Sequence, residues 1–121
     1  MIGRVDSAGR ALLGVTLRSG DASEELEVWI DTGFTGDLVL PQSVIDDWQL
    51  AQSGSVDAIL ADGSQIELST YSCVIDWFGK ARPLEVIAND GDFPLLGVGL
   101  LLGKELRVNY RSLTLFLAPV E

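Results

Sequence analysis

Val28-Trp29-Ile30-Asp31-Thr32-Gly33-Phe34-Thr35-Gly36, with Leu38-Val39-Leu40-Pro41 behind it, decides the reading of this chain. Val and Ile favour the pleated, half-buried environment of a strand. One apolar run therefore delivers a single acid to a short loop, and a second apolar run leaves it. Gly33 and Gly36 allow the backbone turns and close approaches that a Cβ forbids. The pattern predicts a carboxylate on a tightly turned loop between two buried strands. As a bare tripeptide Asp31-Thr32-Gly33 says little; its placement between two strands is what carries information.

Bulk properties narrow the chemistry available to that acid. A chain of 121 residues is expected to form a single domain, residues 1–121, with a core large enough to need no covalent staples. Hydrophobic residues make up 47% and charged ones 21%, the balance of a folded globular protein. There is no histidine, which removes Ser-His and Cys-His catalysis and any His-ligated metal site. The net charge of −10 argues against nucleic-acid binding, which needs clustered Lys and Arg to neutralise phosphates. Cys73 is the only cysteine, so it has no intrachain disulfide partner, and its apolar setting reads as a small buried hydrophobe. Met1-Ile2-Gly3-Arg4 opens no signal-peptide core, and the apolar run from Phe93 to Leu102 is too short for a bilayer. These features predict a soluble, cytoplasmic protein that uses no metal, no cofactor, no nucleic acid and no membrane.

Along the chain, Arg4 to Leu17 reads as β-like runs around Ser7-Ala8-Gly9, and Arg18 to Glu25 as a polar turn. Leu26 to Ile30 is the strand into Asp31. Pro41 suits the first turn of a helix, and Ser43 to Leu50 sets Val44, Ile45 and Trp48 on one helical face. Gln52 to Ser55 reads as a loop. Val56 to Leu60 and Gln65 to Leu68 flank Ala61-Asp62-Gly63-Ser64, where Asp-Gly between alternating runs predicts a hairpin with a primed turn. Thr70 to Phe78 and Pro83 to Ala88 are further strands, and Asn89-Asp90-Gly91-Asp92 is a turn that lacks the following acid of a calcium loop. Leu100-Leu101-Leu102 reads as a short helix closed by Gly103, followed by a last hairpin across Arg111-Ser112. About nine strands and at most two short helices make an all-β protein.

Asp31-Thr32-Gly33 after an apolar strand resembles the active-site loop of aspartic proteases. Phe93-Pro94-Leu95-Leu96-Gly97-Val98-Gly99-Leu100-Leu101 resembles the same family's downstream segment of two apolar residues and a glycine. Both signatures, in this order and at this chain length, are similar to the single-lobed, retroviral-type (retropepsin-like) branch, including its stand-alone prokaryotic members. The resemblance implies an all-β, single-lobed acid-protease barrel with one or two short helices. It implies Asp31, Thr32 and Gly33 as catalytic residues. It also places Ala61, Asp62 and Gly63 on a flap that closes over substrate, and Phe34, Thr35, Phe93, Leu95 and Val98 along the substrate. Leu95, Leu96 and Gly97 are expected under and beside the Asp31 loop.

Peptide hydrolysis without metal, thiolate or imidazole can be run by two carboxylates sharing one proton, because like charges about 3 Å apart cannot both ionise. This chain carries one Asp-Thr-Gly. The partner carboxylate is therefore expected from a second copy, across the axis of a C₂ homodimer, with Thr32 hydroxyls locking the two loops. The substrate is expected to be a protein or peptide in extended conformation, held by strand-like main-chain hydrogen bonds. Phe34 departs from the family, which often carries Ala, Ser or Thr there; a ring at that position is expected to narrow the cleft. The leading reading is thus a homodimeric aspartic endopeptidase. The alternative is a dimeric binding or assembly domain that keeps the fold without the chemistry.

Overall fold

The computed structural model describes residues 1–120. Ten strands and two short helices follow one another as β1 (Ile2–Val5), β2 (Ala11–Ser19), β3 (Ala22–Ile30), β4 (Leu38–Pro41), α1 (Gln42–Trp48), β5 (Gln52–Ile59), β6 (Gln65–Trp77), β7 (Lys80–Asn89), β8 (Leu95–Leu96), α2 (Val98–Leu101), β9 (Lys104–Asn109) and β10 (Thr114–Pro119). All the strands join one sheet, ordered β5-β6-β7-β4-β8-β3-β2-β1-β10-β9.

Closure comes from β2. Its first residues pair with β1, Val5 opposite Ala11, while Thr16, Leu17 and Arg18 pair with Asp76, Ile75 and Val74 of β6. That extra pairing bends the sheet back on itself, so β6, β7, β4, β8, β3 and β2 form a closed ring. The interior follows from period-two alternation: Leu13, Val15 and Leu17 from β2, Cys73, Ile75 and Trp77 from β6, and Leu84 and Val86 from β7 are all buried. β4 is buried at every residue, as expected of a strand covered on both faces. Each fully buried Leu or Val stabilises by about 1.5–3 kcal/mol relative to exposure, so this interior dominates the favourable side of folding. The Arg18–Asp76 ion pair at the closure, 2.6 Å and largely exposed, adds little by comparison.

Several expectations need correction. The polar stretch from Arg18 to Glu25 is mostly strand, with β2 and β3 pairing out to Ser19 opposite Ala22 and the chain reversing at Gly20. Gln52 to Ser55 likewise belongs to β5, bulged between Gln52 and Gly54. Both are ribbon ends exposed to water, so their composition mimics a loop. α1 starts after Pro41, which is its N-cap, and stops at Trp48 with Gln49 in the left-handed region. The strand count rises to ten because β8, only two residues long, carries no periodicity of its own. No helix among the described residues is long and apolar enough to cross a membrane.

Candidate active site

Asp31 stands where β3 ends, and β8 holds it there. Trp29 and Ile30 run parallel to Leu95 and Leu96. The Trp29 N–H donates to the Pro94 carbonyl at 2.8 Å, and the Asp31 N–H donates to the Leu96 carbonyl at 2.9 Å. The chain then reverses. The Phe34 N–H donates to the Asp31 carbonyl at 3.2 Å, and the Gly33 N–H donates to Asp31 Oδ1 at 2.9 Å. The carboxylate thus fixes its own turn, as Asp side chains do when they accept from the backbone two residues on. The chain returns through β4, antiparallel to the other edge of β8 with Leu38 opposite Leu96.

Three further bonds fasten the loop from below. The Gly97, Val98 and Gly99 N–H groups donate to the carbonyls of Asp37, Phe34 and Gly36, at 2.9, 2.8 and 2.9 Å. Approach this close requires glycine. A Cβ on Gly97 would run into the Gly36 carbonyl oxygen and sit 2.7 Å from the Phe34 carbonyl oxygen; one on Gly99 would strike the Asp37 carboxylate. Leu96 and Gly97 therefore lie beside the Asp31 loop.

Phe34 has a different place from the one expected. Its half-buried ring folds over Gly36 and Gly97, where added Cβ atoms would collide with it. The ring completes the packing of its own loop, and Phe34 is absent from the wall of the recess at Asp31. That recess, about 270 Å³, is lined by Trp29, Ile30, Asp31 and Leu95. Thr32, Gly33 and Thr35 are exposed on the loop beside it, and Asp31 is half-buried. Phe93 meets Trp29 edge-on, with ring centroids 6.2 Å apart. Val98 opens α2 behind the loop and does not reach the recess. The β5–β6 hairpin carrying Ala61, Asp62 and Gly63 contributes nothing to the recess wall either.

The reading of the sequence missed Trp29 and Arg10. Trp29 is 40% exposed between buried Val28 and Ile30, so strand alternation turns it outward next to Asp31. That alternation was available as a signal. Arg10 had none: it is the residue just before β2 and lies over the Phe93 ring at 4.4 Å and the Trp29 ring at 5.8 Å. Asp6 anchors it through a 2.7 Å contact to its Nε. The backbone N–H of Arg10 and the Arg10 guanidinium together hold the Asp6 carboxyl below its ordinary value. A wider groove, about 940 Å³, is walled by Trp48, Cys73, Pro83 and Leu84 and excludes Asp31. Burial pushes the Cys73 thiol up to about 11, which leaves little thiolate at neutral pH.

Neither a protein-family model nor a curated protein matches the sequence. Solved structures do match. A retropepsin-like aspartic protease from Rickettsia conorii superposes with a TM-score of 0.65 at 16% identity, covering 97% of this chain and 88% of that one. The Simian Foamy Virus (mac) protease gives 0.54 at 18% identity, over 74% of this chain and 90% of that one. The EIAV protease in complex with the inhibitor HBY-793 gives 0.55 at 18%, over 79% and 88%. The chain has the retropepsin-like fold, an all-β single lobe with two short helices.

Proposed function

We propose that this protein is an aspartic endopeptidase: a single domain, residues 1–121, that works in the cytoplasm as a homodimer and cleaves peptide bonds between two Asp31 carboxylates, one from each copy. The observation that carries this reading is the Asp31 loop, held on one side by Leu96 and from below by Gly97, Val98 and Gly99 within the retropepsin-like fold. Rigid support of this kind is what a carboxylate needs if it is to meet its counterpart at a set distance. A lone carboxylate can accept a proton but cannot also donate one, and the chain has no second Asp-Thr-Gly.

In the proposed dimer the ionised carboxylate takes a proton from a water lying between the pair. The protonated one donates a hydrogen bond to the scissile carbonyl. The hydroxide oxygen adds to the carbonyl carbon, and as the C–N bond breaks the leaving amine takes the proton that the first carboxylate received from the water. Thr32 ties the two loops, and Gly33 brings backbone close to the reacting groups. An extended peptide lies along the side bearing Trp29, Phe93 and Leu95, with Thr35 at its edge and the Ala61-Asp62-Gly63 hairpin closing over it. The packing of the Phe34 ring within its own loop supports the catalytic reading over a purely binding dimer, since it leaves the recess at Asp31 open.

Digestion of an unfolded protein substrate, from acid to neutral pH, tests this against an Asp31→Asn control. The expected loss is about a thousandfold or more, because an amide cannot serve as base. Sedimentation should show both proteins as dimers. An Asn variant as active as the parent would sink the proposal, and a dimer without activity in either protein would favour the binding domain.

A further inference from the structure

The chain holds eight cations against eighteen acids. Arg4, Arg10, Arg18 and Arg107 are each committed to an ion pair. Lys80, Arg82 and Lys104 instead converge on one recess of about 390 Å³, walled also by Trp77, Phe78 and Pro119. Among the described residues no carboxylate lines it. In a chain of net charge −10, three cations gathered with no acid among the described residues is the opposite of what composition favours.

Strand register makes the arrangement more pointed. Cys73 faces Leu84, Ile75 faces Arg82 and Trp77 faces Lys80 across the β6–β7 pair. Leu84 and Val86 are buried, and alternation continues their face through half-buried Arg82 to exposed Lys80, past the end of the core. A half-buried arginine continuing an apolar face breaks the local rule, and such breaks mark functional or strained places.

Two other observations fall on the same recess. Trp77 is 5% exposed, yet its indole N–H has no hydrogen-bond partner among the described residues. A buried donor without an acceptor costs stability and calls for a partner. Phe78, with φ at +50°, and Gly79, at +81°, form the two-residue turn closed by Trp77 and Lys80. Asn or Gly suits the first of these positions; a bulky Phe is an outlier there. Its ring stands edge-on to Trp77 at 5.1 Å and beneath Lys104 Nζ at 5.1 Å. The strained residue thus joins the tryptophan wall to the third cation.

Every polar side chain of this wall is a donor, since indole, ammonium and guanidinium groups accept nothing. Their complement is a negatively charged group made only of acceptors. We propose that the recess binds a small oxyanion, phosphate or carboxylate. Arg82 offers a planar fork matched to such a group, and Lys80 and Lys104 neutralise its charge beside the Trp77 wall. The volume lies near the lower end of ligand sites, about 300–1,000 Å³, and suits a compact ligand. The site shares no lining residue with the recess at Asp31, so it stands or falls apart from the proposed protease activity.

The three tryptophans supply the readout, as each gives one indole N–H signal in a ¹⁵N-labelled sample. The Trp48 indole already donates to Glu24 at 3.0 Å, and Trp29 lies at the other recess, so both serve as controls. Inorganic phosphate and succinate are titrated separately, with sodium chloride at matched ionic strength. The expected result is a saturable movement of the Trp77 signal alone. Arg82→Gln and Lys104→Gln should each raise the half-saturating concentration about tenfold while leaving the amide spectrum otherwise intact. Response to phosphate alone assigns a phosphate ligand, and response to succinate alone a carboxylate. An unsaturable drift equal to that in chloride overturns the proposal, as does the same titration curve in both variants. If Arg82→Gln fails to fold, Lys104→Gln decides, since its position on β9 lies outside the barrel ring.

Discussion

Asp31-Thr32-Gly33 and Asp62-Gly63-Ser64 share one local device. In each, the aspartate Oδ1 accepts from the backbone N–H two residues on, from Gly33 at 2.9 Å and from Ser64 at 2.9 Å. What differs is the surroundings. The Asp31 loop is bounded by β8 and by the Gly97–Gly99 backbone, so closely that a Cβ at Gly97 has no room. At the hairpin tip a Cβ on Gly63 would meet nothing within 4 Å, and every residue from Ile59 to Glu67 is exposed. An Asx turn alone therefore specifies neither rigidity nor chemistry. The chain uses one turn as a fixed mount and the other as a free end, and tertiary contacts set the difference.

The hairpin also departs from its expected turn type. Gly63 alone has positive φ, at +85°, while Gly63 N–H bonds Leu60 O and Leu60 N–H bonds Ser64 O. That is a three-residue loop with glycine in the left-handed place, where a two-residue type I′ turn would need two such residues.

Glycine substitution probes the contrast with the largest effect. Gly97→Ala sets a Cβ against two backbone carbonyl oxygens that cannot swing aside, and should cost about 3 kcal/mol or more. Gly63→Ala meets only the strain of positive φ and should cost about 1 kcal/mol. Urea midpoints of the two variants measure this directly. Equal losses would mean that the hairpin is as tightly bound as the loop.

Hydrogen exchange sharpens the same comparison with a smaller effect. Amides of Asp31, Gly97, Val98 and Gly99 should exchange only on large-scale opening, since each donates within the clamp. Amides from Ala61 to Ser64 should be the fastest ordered ones, and a peptide-like inhibitor of aspartic proteases should slow them. Exchange at the tip that ignores such a ligand would disconnect the hairpin from the proposed cleft.

Local signals carried much of the fold. The runs on either side of Asp31, the hairpin at Asp62-Gly63 and the helix ending before Gly103 all declare themselves within about ten residues, because alternation and turn chemistry are short-range properties. β8 could not be read as a strand, since Leu95 and Leu96 owe that state to Trp29, Ile30, Leu38 and Val39, far away in sequence. The same distance hid Arg10 over Phe93. It also gave Phe34 the look of an obstruction, because nothing near Phe34 tells that its ring has Gly97 to lie on.

The smallest expected effect is a pH dependence confined to the hairpin. Ser64, through its hydroxyl at 2.6 Å and its N–H at 2.9 Å, lowers the Asp62 carboxyl below the ordinary 3.8. A group depressed in the folded state binds its proton more readily when the turn is open. Its contribution to closing the turn is therefore complete above the ordinary value and is lost as pH falls through the lowered one. Because Asp62 is fully exposed, solvent screens the effect, and global stability should hardly register it. Exchange at Gly63 and Ser64, corrected for the intrinsic pH dependence of amide exchange, should quicken in strong acid relative to Gly97 and Val98. Asp62→Asn should flatten that response, since an amide side chain can still accept from Ser64 but does not titrate. If parent and variant show the same acid response, the Asp62 carboxylate does not hold the turn, and the hairpin owes its shape to the Leu60–Ser64 backbone bonds alone.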